Sequence, residues 1–385
     1  MAYNMARQRG ATDFKLVEKI FDQLSSSVAI AMLKDDKLAY EFYGGRKAAL
    51  SDGAGGNAKT SGKFLGFGIG KNDKSSGAAE GGKSGNKNGA GKSSDTGINR
   101  TTHFNIGSAS AVFTGALAIK LMEFGELRLS DPVRRFIPEF LFDDIAIFHL
   151  LTHTSGLSSA VLPLPDNYAA KREFFRKLYG GLKQAQKPGV ISEYFTYNYA
   201  ILADVIEKIS GQMLEELASV LLFIPLGMKH TTYNGVALRA NQYVVPWDHK
   251  ENRFMSEIHA KQATGQNGVY TTALDLLRFG RMFLNGGEFE GKPVFLESSV
   301  EFMLREITNG IFMRTPLFMI KRKVDVFGCF SDKLSSEAVA LTGDLGSMLF
   351  IDPTWHIVGA ALTNSTWVHA VSQNYSNIVD ILTSM

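Results

Sequence analysis

The stretch ASAVFTGALAIKLMEF, residues 109–124, is apolar nearly all round and stops at Gly125. As a helix it has no face to give to water, so other elements must enclose it. A glycine just past the end is a common helix stop. Enclosing such a helix takes a large body, and 385 residues suffice for one big α/β unit or for two lobes sharing a core.

What surrounds the helix follows from changes of period along the chain. DFKLVEKIFDQL, 13–24, spaces its apolar residues helically behind Asp13 as N-cap. VAIAML and KLAYEFY flank Asp35-Asp36 as a β-hairpin. From about 51 to 99 the composition turns to Gly, Ser, Lys, Asn and Ala, with too little apolar surface to offset its ordering entropy, and a flexible insertion is expected. Between 100 and 310 the pattern is mostly helical, with helices expected at 169–179, 199–210, 213–222 and 272–284 and a short one within IAIFHLLTHTSGL. VDVFGCF, SMLFID and HIVGAALTN then read as strands. AVSQNYSNIVDILTSM closes the chain with Val371, Tyr375, Ile378, Val379 and Leu382 on one helical face. The expected fold class is α/β (α+β). Residues 1–50 and 311–385 form its sheet lobe, 51–99 the insertion and 100–310 an inserted helical lobe, all one structural unit.

Composition excludes several kinds of function. Apolar residues make up 45% of the chain and charged ones 21%, near the globular average, so a folded body is expected. The net charge is +3 and no Lys/Arg cluster alternates with aromatics, so nucleic acid is not an expected partner. No uncharged apolar run approaches the roughly 20 residues that cross a bilayer. No signal peptide is visible, and a cytoplasmic location is expected. Cys329, the single cysteine, allows no internal disulfide. Neither metal nor cofactor is expected. His149 and His153 stand at i, i+4 but lack the glutamate of HExxH. GAAEGGKS at 77–84 formally matches the phosphate-cradling GxxxxGK[ST], yet no strand delivers it and no helix follows, so it is read as a chance match.

Behind Gly107, at the mouth of the buried helix, stands Ser108. It reads as an N-cap or as a nucleophile. A serine hydroxyl attacks only when a neighbouring base takes its proton. At the first turn of a helix it gains the positive end of the dipole and its own N–H as half of an oxyanion hole. A base at i+3 would share its face, but that residue is Ala111. Lys120 lies twelve residues on, roughly 18 Å away in rise, and Ser110 is turned away. Tyr194, in a run with Phe195, Tyr197 and Tyr199, reads equally as core packing and as a proton carrier.

FNIGSASAVFTGALAIKLMEFGELRLSDPVRRFIPEF, HLLTHTSGL, SEYFTYNYAILADVIEKISG, PLGMKHTTY, GQNGVYTTALDLLRFGRMFLNGG and ALTGDLGSMLFIDP follow one another in that order. Together they resemble the serine β-lactamase and penicillin-binding-protein-like superfamily, nearest its class C, family VIII esterase and DD-peptidase branch. The resemblance implies a β-lactamase/transpeptidase-like fold: an antiparallel sheet built from both chain termini, flanked by helices, with an all-helical lobe inserted. It also implies serine hydrolase chemistry on a small acyl, ester or peptide ligand. It places Ser108 on the nucleophile and Tyr194 on the tyrosine of Y-x-N, whose phenol helps shuttle the proton. Thr342 and Gly343 fall on the K/H-T/S-G strand, whose backbone completes the oxyanion hole. The HTSG turn around His153 is structural in the family. Three positions depart: Ala111 stands for the S-x-x-K lysine, Thr196 for asparagine, and Leu341 for lysine or histidine.

Three expectations compete. Because two of the three departures remove an ionisable group, the first is an impaired or inactive hydrolase, a pseudoenzyme whose pocket still binds a ligand. The second is an active serine hydrolase or acyltransferase on ester, amide or lactam substrates, with Tyr194 driven by a cation located elsewhere. The third is an interaction module working through 51–99.

Overall fold

Asp35 and Asp36 both take positive φ, 50° and 62°, as the two central residues of a type I′ turn must. They join strand β1 (Val28–Lys34) to strand β2 (Lys37–Gly44) in the expected hairpin. The structure, a computed structural model, describes residues 27–45, 97–258, 261–308, 310, 314–321, 328–366 and 373–383. The helix expected at 13–24, nearly all of the insertion with its GAAEGGKS, and residues 324–327 of VDVFGCF lie outside the described residues.

The hairpin does not stand alone. β3 (Met319–Ile320), β4 (Val339–Gly343), β5 (Ser347–Asp352) and β6 (Ile357–Thr363) complete a six-stranded sheet of order β3-β4-β5-β6-β1-β2. Every neighbouring pair is antiparallel. β1 pairs along its whole length with β6, from Val28 opposite Thr363 to Lys34 opposite Ile357, so the two ends of the chain share one sheet.

Successive side chains of a strand point to opposite faces, and here both faces are covered. Ala29, Ala31, Leu349, Ile351, Val358 and Ala360 join the main helical core. Val28, Ile30, Met32, Met348 and Phe350 pack with Tyr375, Ile378, Val379 and Leu382 of the terminal helix. That double burial is why SMLFID and HIVGAALT are apolar without alternation.

Between residues 97 and 318 most of the described elements are helices. The α-helices there are α1 (Ala111–Glu123), α2 (Ile147–Leu151), α3 (Tyr168–Gly181), α4 (Tyr197–Ser210), α5 (Leu214–Ala218), α6 (Ala273–Leu284) and α7 (Glu297–Leu304); α8 (Gln373–Thr383) follows the sheet. α1 is buried continuously from Val112 to Ile119, packed against α4 and α5, as its all-round apolar sequence requires. Its one lysine sits at the far end, where Lys120 Nζ donates to Glu123 and to the Val294 carbonyl. α6 lies across β1, β5 and β6. No described helix is long and apolar enough to cross a membrane.

The sequence reading misses one strand. Gly328–Phe330, the described part of VDVFGCF, belongs to no strand. The neighbour of β4 is instead β3, two residues from LFMI, too short for any period to reveal.

Candidate active site

The residues His103–Asn105 pair in parallel with Tyr243–Val244 and antiparallel with Tyr270–Thr271. The chain then turns at Gly107, whose φ of +55° suits glycine and whose N–H is accepted by Asn105 Oδ1 at 2.9 Å. A 3-10 turn, Gly107–Ser110, leads into α1. The sheet clamps this turn from below. Ser347 Oγ donates to the Ile106 carbonyl at 2.9 Å. Gly343 approaches so closely that a Cβ there would lie 2.2 Å from the same oxygen.

Ser108 is not a helix cap. Its Oγ accepts the backbone N–H of Asp344, just past β4, at 3.2 Å, and its own N–H donates to Asp344 Oδ1 at 2.7 Å. Ser110 is fully buried; its Oγ donates to the Gly107 carbonyl and accepts from the Val269 N–H. It braces the turn and faces away from the cavity.

Over Ser108 opens a cavity of about 380 Å³. Tyr194, Thr196 and Thr342 line it, and Ala111 and Leu341 stand in the same wall. Gly343 does not line it; its carbonyl accepts the Tyr375 hydroxyl at 3.1 Å beneath the site. Tyr194 and Thr196 line this cavity together with Ser108. Desolvation by the cavity walls raises the Tyr194 phenol above its usual value, although the residue is 48% exposed, against the lowering pull of Arg314, Thr196 and Ser108, while Asp344 adds to the rise. The Arg314 guanidinium carbon lies 5.5 Å from the Tyr194 ring centre.

His153 packs against that ring, centroids 4.6 Å apart. Burial and the Arg314 charge hold it well below its usual value. Its Nδ1 accepts from the Phe195 N–H at 3.3 Å and from the Asn198 amide at 3.2 Å, which fixes a neutral ring with the proton on Nε2. Asn198 Oδ1 in turn accepts the Ser155 hydroxyl. His149 is engaged separately: its Nδ1 accepts the Ala146 N–H at 3.0 Å.

A sequence-family model described as Beta-lactamase matches residues 17–378. The chain belongs to the Beta-lactamase family. It is 27% identical over 185 residues to a protein named Beta-lactamase from Escherichia coli K12, covering 47% of this chain and 48% of that one. It is 29% identical over 234 residues to Penicillin-binding protein 4 of Amycolatopsis lactamdurans, covering 56% and 60%. The chain thus spans about half the length of these curated relatives. Among solved structures, "EstCE1, a hydrolase with promiscuous acyltransferase activity" superposes with a TM-score of 0.70 at 15% identity, covering 98% of this chain and 100% of that one. D-alanine carboxypeptidase AmpC from Burkholderia cenocepacia gives a TM-score of 0.67 at 21% identity, covering 99% and 100%. Both likenesses establish the fold.

Within this Beta-lactamase-family protein, the positions that the sequence resemblance assigns to a lysine and to a lysine or histidine hold Ala111 and Leu341, and both face the cavity. The N–H that reaches Ser108 from the sheet belongs to Asp344, one residue beyond the Thr342-Gly343 pair expected from the motif. Two residues of the site went unread in the sequence. Asp344 was within sight, directly after Gly343 in ALTGDLG. Arg314 belongs to none of the matched segments, and no local signal marks it.

Proposed function

We propose that this protein is a serine-hydrolase-fold acyl-binding protein whose turnover is lost or strongly slowed: the pocket and nucleophile are kept, and the base is gone. The observation that carries this reading is the wall beside Ser108, where Ala111 and Leu341 offer only aliphatic groups. Loss of a general base costs roughly 10²- to 10⁴-fold. The remaining proton acceptor, Tyr194, is raised above the ordinary phenol range. At pH 7 a phenol of pKa about 10 is ionised only roughly one part in a thousand. Asp344 compounds the loss, because its carboxylate takes up the Ser108 N–H at 2.7 Å, where an acyl oxyanion would need that donor.

The ligand class is a small ester, amide, lactam or peptide acyl group. Family membership supports it, as do a relative named as a penicillin-binding protein and a fold neighbour described as a hydrolase. A second reading, an active hydrolase or acyltransferase working through Tyr194, is favoured by Arg314 over the Tyr194 ring. One experiment decides between them: multiple-turnover hydrolysis of p-nitrophenyl acetate and of a chromogenic cephalosporin at pH 7. The first reading expects wild type to stay within about tenfold of Ser108→Ala. Turnover roughly 100-fold or more above that of Ser108→Ala would overturn it in favour of the second.

A further inference from the structure

The cavity lacks the ionisable groups expected at Ala111 and Leu341 but not a positive charge. Among the described residues that line it, Arg314 is the one Lys or Arg. It reaches the site from an unexpected direction. Arg314 bridges to Met319, the first residue of β3, and Met319 pairs with Ala340, the neighbour of Leu341. The segment carrying this cation is therefore pinned to the strand that lacks one. Its guanidinium stands over the face of Tyr194, which lines the same cavity as Ser108.

We propose that Arg314 is the positioning cation of the Ser108 site, stationed over Tyr194 in place of the basic side chains missing at Ala111 and Leu341, and that it acts on Ser108 only through the Tyr194 hydroxyl. The proposal rests on Ser108 and Tyr194 being nucleophile and proton acceptor. Arg314 cannot take the serine proton itself, since a guanidinium is not deprotonated in proteins. A cation over the ring favours the phenolate over the phenol. The other groups around Tyr194 do not substitute for it. Asp344 works in the opposite sense, His153 is neutral, and Tyr199 is a phenol raised by burial.

With a carboxylic ester, the Ser108 proton passes to the Tyr194 phenolate as the Oγ–acyl bond forms. The same proton then passes to the departing alkoxide as the acyl–oxygen bond breaks. The products are acyl-Ser108 and an alcohol, with the phenolate restored. The reactive fraction rises tenfold per pH unit below the Tyr194 midpoint, so whatever reactivity Ser108 has is an alkaline one.

The test uses the full chain with 13C-labelled tyrosine, assigning Tyr194 by Tyr194→Phe and following its phenolate fraction by NMR up to pH 12. In parallel, Ser108 modification by a fluorophosphonate is followed by intact mass at pH 9. Arg314→Gln is expected to move the Tyr194 midpoint up by about one pH unit and to slow modification about tenfold; Arg314→Lys restores most of both. In an Ala111→Lys background, where an amine is supplied, Arg314→Gln should cost less than about threefold. An unchanged Tyr194 titration in Arg314→Gln, a lysine variant that behaves like glutamine, or an equal loss in the Ala111→Lys background overturns the proposal. Modification that persists in Ser108→Ala would instead sink the reading on which it rests, and the NMR titration keeps the two failures apart.

Discussion

Ser108 and Asp344 hold each other at the mouth of α1, each backbone N–H donating to the other's side chain. A carboxylate at a helix N-terminus stabilises it by about 1 kcal/mol or less when exposed, and Asp344 is exposed. The same contact occupies the donor that an oxyanion would use. Asp344→Ala should therefore raise the second-order rate of Ser108 modification by a fluorophosphonate by roughly tenfold while lowering urea stability by about 1 kcal/mol; a slower reaction would contradict this. Ser108, Tyr194 and Thr342 could be picked from the sequence because each lies in a matched segment, in order. Asp344 could be located on its strand but not folded back onto Ser108, since no pattern records where a short side chain turns. Arg314 depends on the register of a two-residue strand, which the sequence does not display.

At the scale of elements, the site depends on how tightly the Gly107–Ser110 turn sits on β4 and β5. A Cβ at Gly343 would come within 2.4 Å of Ser347 Oγ as well as 2.2 Å of the Ile106 carbonyl. Gly343→Ala should therefore push the turn off the sheet, costing about 1–3 kcal/mol and abolishing Ser108 modification. Ser347→Ala removes a single hydrogen bond and should cost only about 1 kcal/mol; urea unfolding with mass-detected labelling separates the two. The long helices were legible because their period of 3.6 is sustained, and α3, α4 and α6 appear where the spacing put them. The strand pairs that deliver Ser108, only two or three residues long, were not legible, because hydrogen bonding to distant partners makes them strands.

For the whole molecule, the change of period near both ends announced a sheet drawn from both termini, and the pairing of β1 with β6 bears it out. The terminal helix ties that sheet to the site, since Tyr375 of α8 donates to the Gly343 carbonyl. Tyr375→Phe should cost about 1 kcal/mol, whereas Tyr375→Ala, emptying a site only 1% exposed, should cost about 3–5 kcal/mol; calorimetry reads both. Membership of the Beta-lactamase family sets the scaffold, and the proposed loss of turnover turns on the side chains at Ala111 and Leu341. The most direct measurement is p-nitrophenyl acetate hydrolysis at pH 7 by the double variant Ala111→Lys with Leu341→His. An intact pocket lacking only its base predicts Ser108-dependent turnover at least roughly 100-fold above wild type. A folded double variant no faster than wild type would contradict the account.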